Sequence, residues 1–239
     1  DGVMASEATL LRGLEPIMAA GGAELTYFEL LTALAVQVFS NAGVDLAVLE
    51  SGLGGTCDAV TAVDADLTLF TPIDMDHAQI LGPTVAHIAR DKAGAVRPGV
   101  PVLSGPQRPE AVHELTETAR EKGSPLRMTV AEPWPDGFDP HELGLAGPHQ
   151  VDNARLALAA WRLLGARKEL RRNLVGSFPD AAAESKALRA ARIPGRLQRV
   201  APCPPAMPGE GTFVPCALGR PALILDGAHN PHGMAALGR

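Results

Sequence analysis

Leu67-Thr-Leu-Phe-Thr71 is a short apolar run, followed by a helical stretch from Thr84 to Val96 and by a second apolar run from Val100 to Leu103. Such runs, bounded by turn residues, predict strands that are buried on both faces. A further helix is predicted from Pro109 to Lys122. Strands that alternate with helices predict an α/β fold, a parallel sheet with crossover helices.

The residues before this stretch continue the same pattern. Apolar periodicity predicts a helix from Ser6 to Ala20, ended by two glycines. Thr26 and Glu29 have the spacing of a capping box, which predicts the start of a second helix that ends near residues 41–43. The apolar run Leu46 to Leu49 then predicts another buried strand.

The residues after this stretch predict a change of domain. Helices are expected from Val151 to Leu164 and from Leu170 to Val175. The segment Ile193 to Gly219 is rich in proline and glycine, which is typical of a linker or an inserted loop, and Ala222 to Leu225 predicts a strand that opens a second βα unit. We therefore predict a central domain at 1–192, and a linker with the beginning of a second α/β domain at 193–239.

Composition narrows the function classes. The chain has 239 residues, 46% of them hydrophobic, and a formal net charge of −6 without a Lys/Arg-rich run, which argues against a nucleic-acid partner. No apolar run reaches the roughly 18–20 residues that span a bilayer, so we expect no membrane association and a cytoplasmic location. Three cysteines without C-x-x-C spacing suggest neither a disulfide framework nor a zinc site.

Acidic and imidazole side chains follow two of the predicted strands. Glu50 ends one strand, and Asp74, Asp76 and His77 lie just beyond the next. The carboxyl ends of parallel strands share one edge of a sheet, where ligands bind. Carboxylates with a neutral imidazole favour a hard divalent ion such as Mg²⁺. The alternative is that His77 caps a loop and Glu50 pairs with an arginine.

Gly52-Leu-Gly-Gly55 allows the backbone to approach an anion or a planar ring closely, although a tight turn explains it equally well. The chain contains no G-x-x-x-x-G-K-[ST] phosphate loop. The nucleotide and magnesium motifs of this chain look like those of an amide-forming ligase, and such an enzyme needs this loop to hold the β- and γ-phosphates. We therefore expect this chain to be the middle of an enzyme and to have little or no activity by itself.

Several segments, in one register along nearly the whole chain, resemble the folylpolyglutamate synthase and dihydrofolate synthase family, relatives of the Mur ligases. They are Leu25-Thr-Tyr-Phe-Glu29, Glu50 to Ala59, Thr71-Pro-Ile-Asp-Met-Asp-His77, Ile88-Ala-Arg-Asp-Lys-Ala-Gly94, Gly147-Pro-His-Gln-Val-Asp-Asn153, Gly195-Arg196 and Asp226-Gly-Ala-His-Asn-Pro231. The resemblance implies a Mur ligase central-domain fold of the P-loop NTPase type. Motifs that match in order are more specific than any one of them.

The resemblance also implies roles for individual residues. Glu50 and His77 would hold magnesium near the γ-phosphate, and Lys92 would carry a carbamate, which converts a cation into an oxygen ligand. His229 would lie near the γ-phosphate or the incoming amino acid. The residues that match ATP-binding positions are Asn153, Arg196 and Asp226. The residues that match positions of the pterin pocket are Thr26, Phe28, Asp58 and Ala59. The remaining histidines are interpreted as surface or loop residues.

The implied reaction uses ATP and Mg²⁺ to phosphorylate a carboxylate of dihydropteroate or a folate, and the amine of L-glutamate then attacks the acyl phosphate. The resemblance favours a monomer. Asp58-Ala-Val-Thr61 departs from the Asp-Ala-Thr-Asn of the family, and Cys57 replaces a larger side chain. Two alternatives remain: another Mur-type amino-acid ligase, or a non-catalytic derivative that binds pterin or nucleotide.

Overall fold

The protein is described by a computed structural model, in which residues 3–166, 180–200 and 223–226 are described. The helices are α1 (Glu7–Ala19), α2 (Tyr27–Ala42), α3 (Ala78–Leu81), α4 (Val85–Ala93), α5 (Pro109–Glu121), α6 (Pro148–Ala166) and α7 (Ala181–Ala190). The strands are β1 (Thr68–Phe70), β2 (Val102–Ser104), β3 (Leu126–Met128), β4 (Gln198–Val200) and β5 (Leu223–Leu225).

A parallel sheet forms the centre of the fold. Its strand order is β1-β2-β3, with Thr68 opposite Val102 and Val102 opposite Leu126. Helices α3 and α4 connect β1 to β2, and α5 connects β2 to β3. Parallel strands cannot be joined by a tight turn, so each connection crosses over through a helix. The predicted α/β fold with a parallel sheet and crossover helices is confirmed.

The core lies on both faces of β2, because successive side chains of a strand point to opposite faces. Val102 belongs to a buried cluster with Ile88 of α4 and Leu115 of α5. Leu103 belongs to a second cluster, which α6 covers through Leu156 and Ala159. The middle strand is therefore buried on both faces, as its apolar sequence predicts.

Helices α1 and α2 pack against each other with their predicted boundaries. Ser6 caps α1 by accepting a hydrogen bond from the N–H of Thr9. Thr26 and Glu29 form the predicted capping box at the start of α2, and Gly43 ends the helix in the left-handed conformation (φ 60°). Gly13 allows close contact between the helices, since a Cβ atom there would lie 2.9 Å from Leu34 Cδ1.

Two predictions from the sequence are wrong. The run Leu46 to Leu49 is not a strand and is not buried, since Leu46 is 46% and Val48 80% exposed. Strand β4 lies inside the segment predicted to be a linker or an inserted loop. The predicted strand from Ala222 to Leu225 is confirmed as β5, which pairs with β4 in an antiparallel manner.

Strand β3 and helix α7 were not predicted from the sequence. The predicted helix from Leu170 to Val175 and any helix after Pro231 lie outside the described residues. The division at residues 192 and 193 stays a prediction. Among the helices of 3–166 and 180–200, none has the combination of length and apolar composition that a bilayer crossing demands.

A buried network of charged side chains fixes α6 against α7 and against the segment after β3. Arg162 of α6 binds Glu184 of α7 through Nη2 at 2.7 Å and through Nε at 3.1 Å. Its Nη1 atom donates to Glu132 Oε1 at 2.9 Å, and Arg127 Nη1 donates to Glu132 Oε2 at 2.6 Å. The hydrogen bonds that Arg162 donates to Glu184 are the largest cause of its raised pKa. This network positions the helix that carries Asn153.

Candidate functional site

A glycine-rich loop, residues 52–58, is held in shape by the carboxylate of Asp58. Its Oδ2 atom accepts hydrogen bonds from the N–H groups of Gly52 and Leu53, each at 2.8 Å, and Oδ1 accepts one from the N–H of Val60 at 2.9 Å. Asp58 is only 8% exposed. The carboxylate thus fixes the loop and caps the short 3₁₀ helix Ala59–Ala62, which occupies three of its roughly four lone-pair positions.

The ring of Phe28 lies against this loop. A Cβ atom at Gly52 would be 2.6 Å from Phe28 Cζ, so the ring contacts the glycine backbone directly and only glycine permits that approach. Phe28 is in the first turn of α2 and is 39% exposed. The structure therefore brings Phe28 to the loop that Asp58 and Ala59 complete, as one surface with an exposed aromatic face.

Thr26 contributes to the same surface by setting where α2 begins. Its hydroxyl donates to Glu29 Oε2 at 2.7 Å and its N–H donates to the same oxygen at 2.8 Å. These bonds lower the pKa of Glu29, the hydroxyl bond being the larger cause. Thr26 is exposed, but its hydroxyl serves the cap of the helix.

The glycine-rich loop is also joined to the end of α4, the helix that carries Lys92. Asp91 Oδ1 accepts a hydrogen bond from the N–H of Gly55 at 3.0 Å, and the Thr56 hydroxyl donates to the Asp91 carbonyl at 3.0 Å. A Cβ atom at Gly54 would overlap Asp91 Oδ1, and one at Gly55 would overlap the Lys92 carbonyl oxygen. Lys92, which is partly buried, thus lies directly beneath the loop.

The loop that follows β1 is tied to the end of β2 by Gln107. Its Oε1 atom accepts from the N–H of Ile73 at 2.8 Å, and its Nε2 atom donates to the Thr71 carbonyl at 2.8 Å and to Ser104 Oγ at 3.0 Å. Asp74 Oδ2 lies 3.1 Å from Arg108 Nη2. These contacts hold the segment that leads to His77 at the carboxyl edge of the sheet.

Glu50 and His77, the predicted magnesium ligands, are both exposed. His77 adopts a left-handed conformation (φ 50°), unusual for a residue other than glycine, and its Nε2 atom lies 3.8 Å from Asp76 Oδ2. In the described parts of the chain, no group of three or more His, Cys, Asp and Glu side chains is arranged to hold a metal ion. A magnesium ion that is bound together with a nucleotide takes one or two protein carboxylates, a donor set that Glu50 fits.

Asn153, a predicted ATP contact, lies in the second turn of α6 within a chain of hydrogen bonds. Its Nδ2 atom donates to Gln150 Oε1 at 3.1 Å, and Gln150 Nε2 lies 3.2 Å from His149 Nε2. Gln150 is 7% exposed, and His149, which was interpreted as a surface or loop residue, is partly buried in the first turn of α6. Burial raises the pKa of the neighbouring Asp152, while the charges of Arg155 and His149 lower it in part.

The other predicted ATP contacts, Arg196 and Asp226, are brought together by one backbone bond. The N–H of Leu197 donates to Asp226 Oδ2 at 2.8 Å, and Leu197 itself has a left-handed conformation (φ 44°). Arg196 is exposed. His229 lies outside the described residues. Leu197 also approaches Gly147, which precedes His149, so this pair lies close to the start of α6.

Four residues of this region were not identified as site residues by sequence reasoning. They are Asp91, Gln107, His149 and Gln150. Asp91, His149 and Gln150 lie within the motifs that carry the family resemblance, and this is the one sequence signal that could have identified them. Gln107 gives no signal in the sequence, because its contacts with the loop after β1 are with backbone groups more than 30 residues away.

The chain is similar in sequence to several curated proteins. It is 36% identical over 222 residues to a folylpolyglutamate synthase of Arabidopsis thaliana, covering 89% of this chain and 35% of the relative. It is 33% identical over 225 residues to the dihydrofolate synthase/folylpolyglutamate synthase of Escherichia coli, covering 90% of this chain and 46% of the relative. This chain is homologous to the folylpolyglutamate and dihydrofolate synthases. It spans about a third to a half of the length of these homologues, and no family model matches it.

Solved structures of such synthases have the same fold. The E. coli protein in complex with DHPP and ADP superposes with a TM-score of 0.73 at 31% identity, covering 99% of this chain and 52% of that one. The Mycobacterium tuberculosis folylpolyglutamate synthase complexed with ADP and AMPPCP gives a TM-score of 0.72 at 27% identity, covering 98% of this chain and 54% of that one. The fold of the described residues is therefore that of these folate ligases.

Proposed function

We propose that the whole protein is an ATP-dependent ligase that joins L-glutamate to dihydropteroate or a folate through an acyl phosphate. The observation that carries the proposal is the homology to folylpolyglutamate and dihydrofolate synthases over about nine tenths of the chain. One solved relative is a complex with DHPP and ADP, and another is a complex with AMPPCP and folate. The substrates, including glutamate, are proposed for this protein by analogy with them.

The surface formed by Phe28 and the glycine-rich loop supports pterin binding. A flat heterocycle needs an aromatic face and a few fixed polar groups. Phe28 provides the face, and Asp58 keeps one lone-pair position of its carboxylate after binding three backbone N–H groups. Thr26 and Ala59 would border the ring. The role of Asp58 in this proposal is first to hold the loop, and second to accept a hydrogen bond from the ligand.

We further propose that Lys92, beneath the same loop, belongs to the catalytic site. Lys92 as a carbamate would present oxygen atoms, and Glu50 and His77 would complete the protein ligands of a magnesium ion. When bound, the ion neutralises phosphate charge, the dominant need in phosphoryl transfer. Asp91 keeps the glycine-rich loop in contact with the helix that carries Lys92. Asn153, Arg196 and Asp226 would bind ATP, and His229 would act on the γ-phosphate or the amine.

Ligand binding to the whole protein tests the proposal, because the 239-residue chain contains no phosphate loop. We expect titration calorimetry to detect dihydropteroate or folate and, at a separate site, ADP. Replacement of Phe28 by alanine should weaken pterin binding by about two- to twelvefold, because an aromatic contact is worth about 0.5–1.5 kcal/mol. Tyr27→Ala is the matched control, since Tyr27 is on the same helix and is 78% exposed. A folded whole protein that binds neither ligand would contradict the proposal.

Activity separates the ligase from its alternatives. Phosphate release from ATP by the whole protein should require both a pteroate or folate and L-glutamate. Release that depends instead on a different carboxylate acceptor would identify another amino-acid ligase, and binding without release would identify a non-catalytic derivative. The cytoplasmic location and the monomeric state stay predictions.

A further inference from the structure

The glycine-rich loop and the end of α4 pack backbone against backbone. A Cβ atom at Gly55 would overlap the Lys92 carbonyl oxygen, and Gly55 is buried in this contact. From the helix side, a Cβ atom at Gly94 would overlap Thr56 Oγ1. A contact with a glycine on each side offers little of the side-chain interdigitation that fixes packed surfaces elsewhere. Hydrogen bonds therefore have to determine where the loop lies on the helix.

Asp91 supplies such hydrogen bonds from the last turn of α4. Its Oδ1 atom accepts from the N–H of Gly55 at 3.0 Å, and its carbonyl oxygen accepts from the Thr56 hydroxyl at 3.0 Å. The carbonyl oxygen of Gly55 accepts in turn from the Thr61 hydroxyl at 2.6 Å. Both backbone polar groups of Gly55 are thus bonded, one to α4 and the other to the 3₁₀ helix Ala59–Ala62.

Helix α4 is the fixed partner in this contact. Ala93, in its last turn, is completely buried in the core. Just beyond the helix, Lys122 Nζ donates to the carbonyl oxygen of Val96 at 2.6 Å, which ties this end of α4 to the end of α5. Residues 56–57 of the loop, in contrast, are exposed. The hydrogen bonds of Asp91 therefore position the loop on the helix.

The surface formed by Phe28 and the loop keeps its own shape through other contacts. The Phe28 ring touches Gly52, and the Asp58 carboxylate accepts hydrogen bonds from three backbone N–H groups. Asp91 takes part in none of these contacts. Removing its side chain would therefore leave the surface assembled and alter its placement relative to Lys92.

We propose that Asp91 is a positioning residue for the proposed reaction: by fixing the glycine-rich loop on α4, it sets the distance from a bound pterin to Lys92. The proposal rests on the proposed function, since it takes the loop as part of the pterin surface and Lys92 as part of the catalytic site. It adds the residue that joins the two. Placement matters for the rate, because a misplacement of about 1 Å can cost about a hundredfold.

Steady-state kinetics of the whole protein tests the proposal through the split between kcat and KM. Asp91→Leu removes the acceptor, and we expect it to lower kcat by about ten- to hundredfold. The KM for the folate substrate should change by less than about threefold, because the binding surface stays assembled. Counting kcat per folate-binding site, determined by titration calorimetry, prevents a loss of folded protein from lowering it. Glu110→Leu, at an exposed position in the first turn of α5, is the control and should change neither value.

Two further variants separate positioning from mere stability. Asp91→Asn keeps an acceptor oxygen for the N–H of Gly55, so kcat should recover to within about threefold of the native value, the charged acceptor being the stronger one. Thr56→Val removes only the bond to the Asp91 carbonyl, at an exposed position. It should lower kcat by about two- to tenfold, the worth of one hydrogen bond, again without a change in KM.

Several results would overturn the positioning role. They are an unchanged kcat in folded Asp91→Leu, a loss that appears only in KM, and a loss that Asp91→Asn does not recover. If Asp91→Leu does not fold, Thr56→Val decides, and an unaltered kcat in that variant overturns the proposal. A native protein that forms no amide from folate and glutamate contradicts the proposed function instead, whereas an active native protein that tolerates these variants contradicts only the role of Asp91.

Discussion

Replacement of Arg162 by methionine tests the buried charge network that fixes α6. Methionine keeps much of the aliphatic volume but removes the donors to Glu184, Glu132 and the carbonyl of Pro133. The side chains of Glu184 and Glu132 are only 3% and 6% exposed, so each would be left buried with fewer charge partners. Glu132 retains Arg127, whereas Glu184 loses the partner that binds both of its oxygens.

The magnitude follows from breaking a buried pair, which costs about 3–5 kcal/mol because it leaves an uncompensated charge. We expect Arg162→Met to lower the free energy of unfolding by about that amount, measured by urea denaturation. Adding Glu184→Leu should restore much of the loss, since replacing both members of a buried pair by apolar groups is often neutral. Arg120→Met is the control, because Arg120 pairs with Glu117 on the exposed face of α5 and its loss should be far smaller.

Two results would refute this reasoning. A loss within about 1 kcal/mol for Arg162→Met would mean that Glu184 is solvated despite its burial. A double variant no more stable than the single one would mean that the guanidinium acts through packing and not through charge. Because α6 carries Asn153, the same variant should also weaken ADP binding.

Three further outcomes are expected. Gly55→Ala should destabilise the chain by about 2–3 kcal/mol, because the new Cβ atom meets the Lys92 carbonyl oxygen and the hydrogen bond to Asp91 is lost. The control is Gly99→Ala, which should cost about 1–2 kcal/mol, since Gly99 has a positive φ but open space around it. Equal losses for the two variants in urea denaturation would contradict this prediction. Asp58→Asn should leave at least one backbone N–H of the glycine-rich loop unpaired, which costs about 1–3 kcal/mol of stability. Hydrogen exchange at Gly52, Leu53 and Val60 should then accelerate, and unchanged protection of these amides would disprove the prediction. Burial raises the pKa of Asp152 above its ordinary value of 3.8, so the native state holds the carboxyl proton more tightly than the unfolded state does, and ionisation of Asp152 costs stability as the pH rises. Asp152→Asn should therefore raise Tm at pH 7, and the gain should vanish as the pH falls to about 4. A gain in Tm that persists in acid would count against this cause.

Local signals in the sequence predicted the elements whose causes are local. The capping box of Thr26 and Glu29 and the apolar periodicity of α1, α4 and α5 act within a few residues, and each helix lies where its pattern indicates. The run Leu46 to Leu49 shows the limit of this reasoning. Apolar residues favour burial, but a strand also needs a partner, and the run itself contains no information about what pairs with it.

Only the residues of the candidate site that lie within recognisable motifs could be predicted from the sequence. Phe28 and Asp58 come together at the glycine-rich loop as the resemblance implies, but the reason, a carboxylate that binds three backbone groups, is visible only in three dimensions. Asp91 and Gln107 act on groups 36 and 34 residues away. Such contacts depend on how the elements fold back on each other, which periodicity does not encode.

The antiparallel pairing of β4 with β5 has a consequence for engineering. Val200 lies opposite Leu223, so the 22 residues from 201 to 222 leave and rejoin the ladder at adjacent points. In topological terms they are the connection of a β-hairpin, and two-residue turns suffice for such connections. Exchanging them for a four-residue turn would reduce the entropy of loop closure by about 1.5 kcal/mol while preserving the strand register. The proline-rich region is thus a natural point for excision, or for grafting a reporter domain.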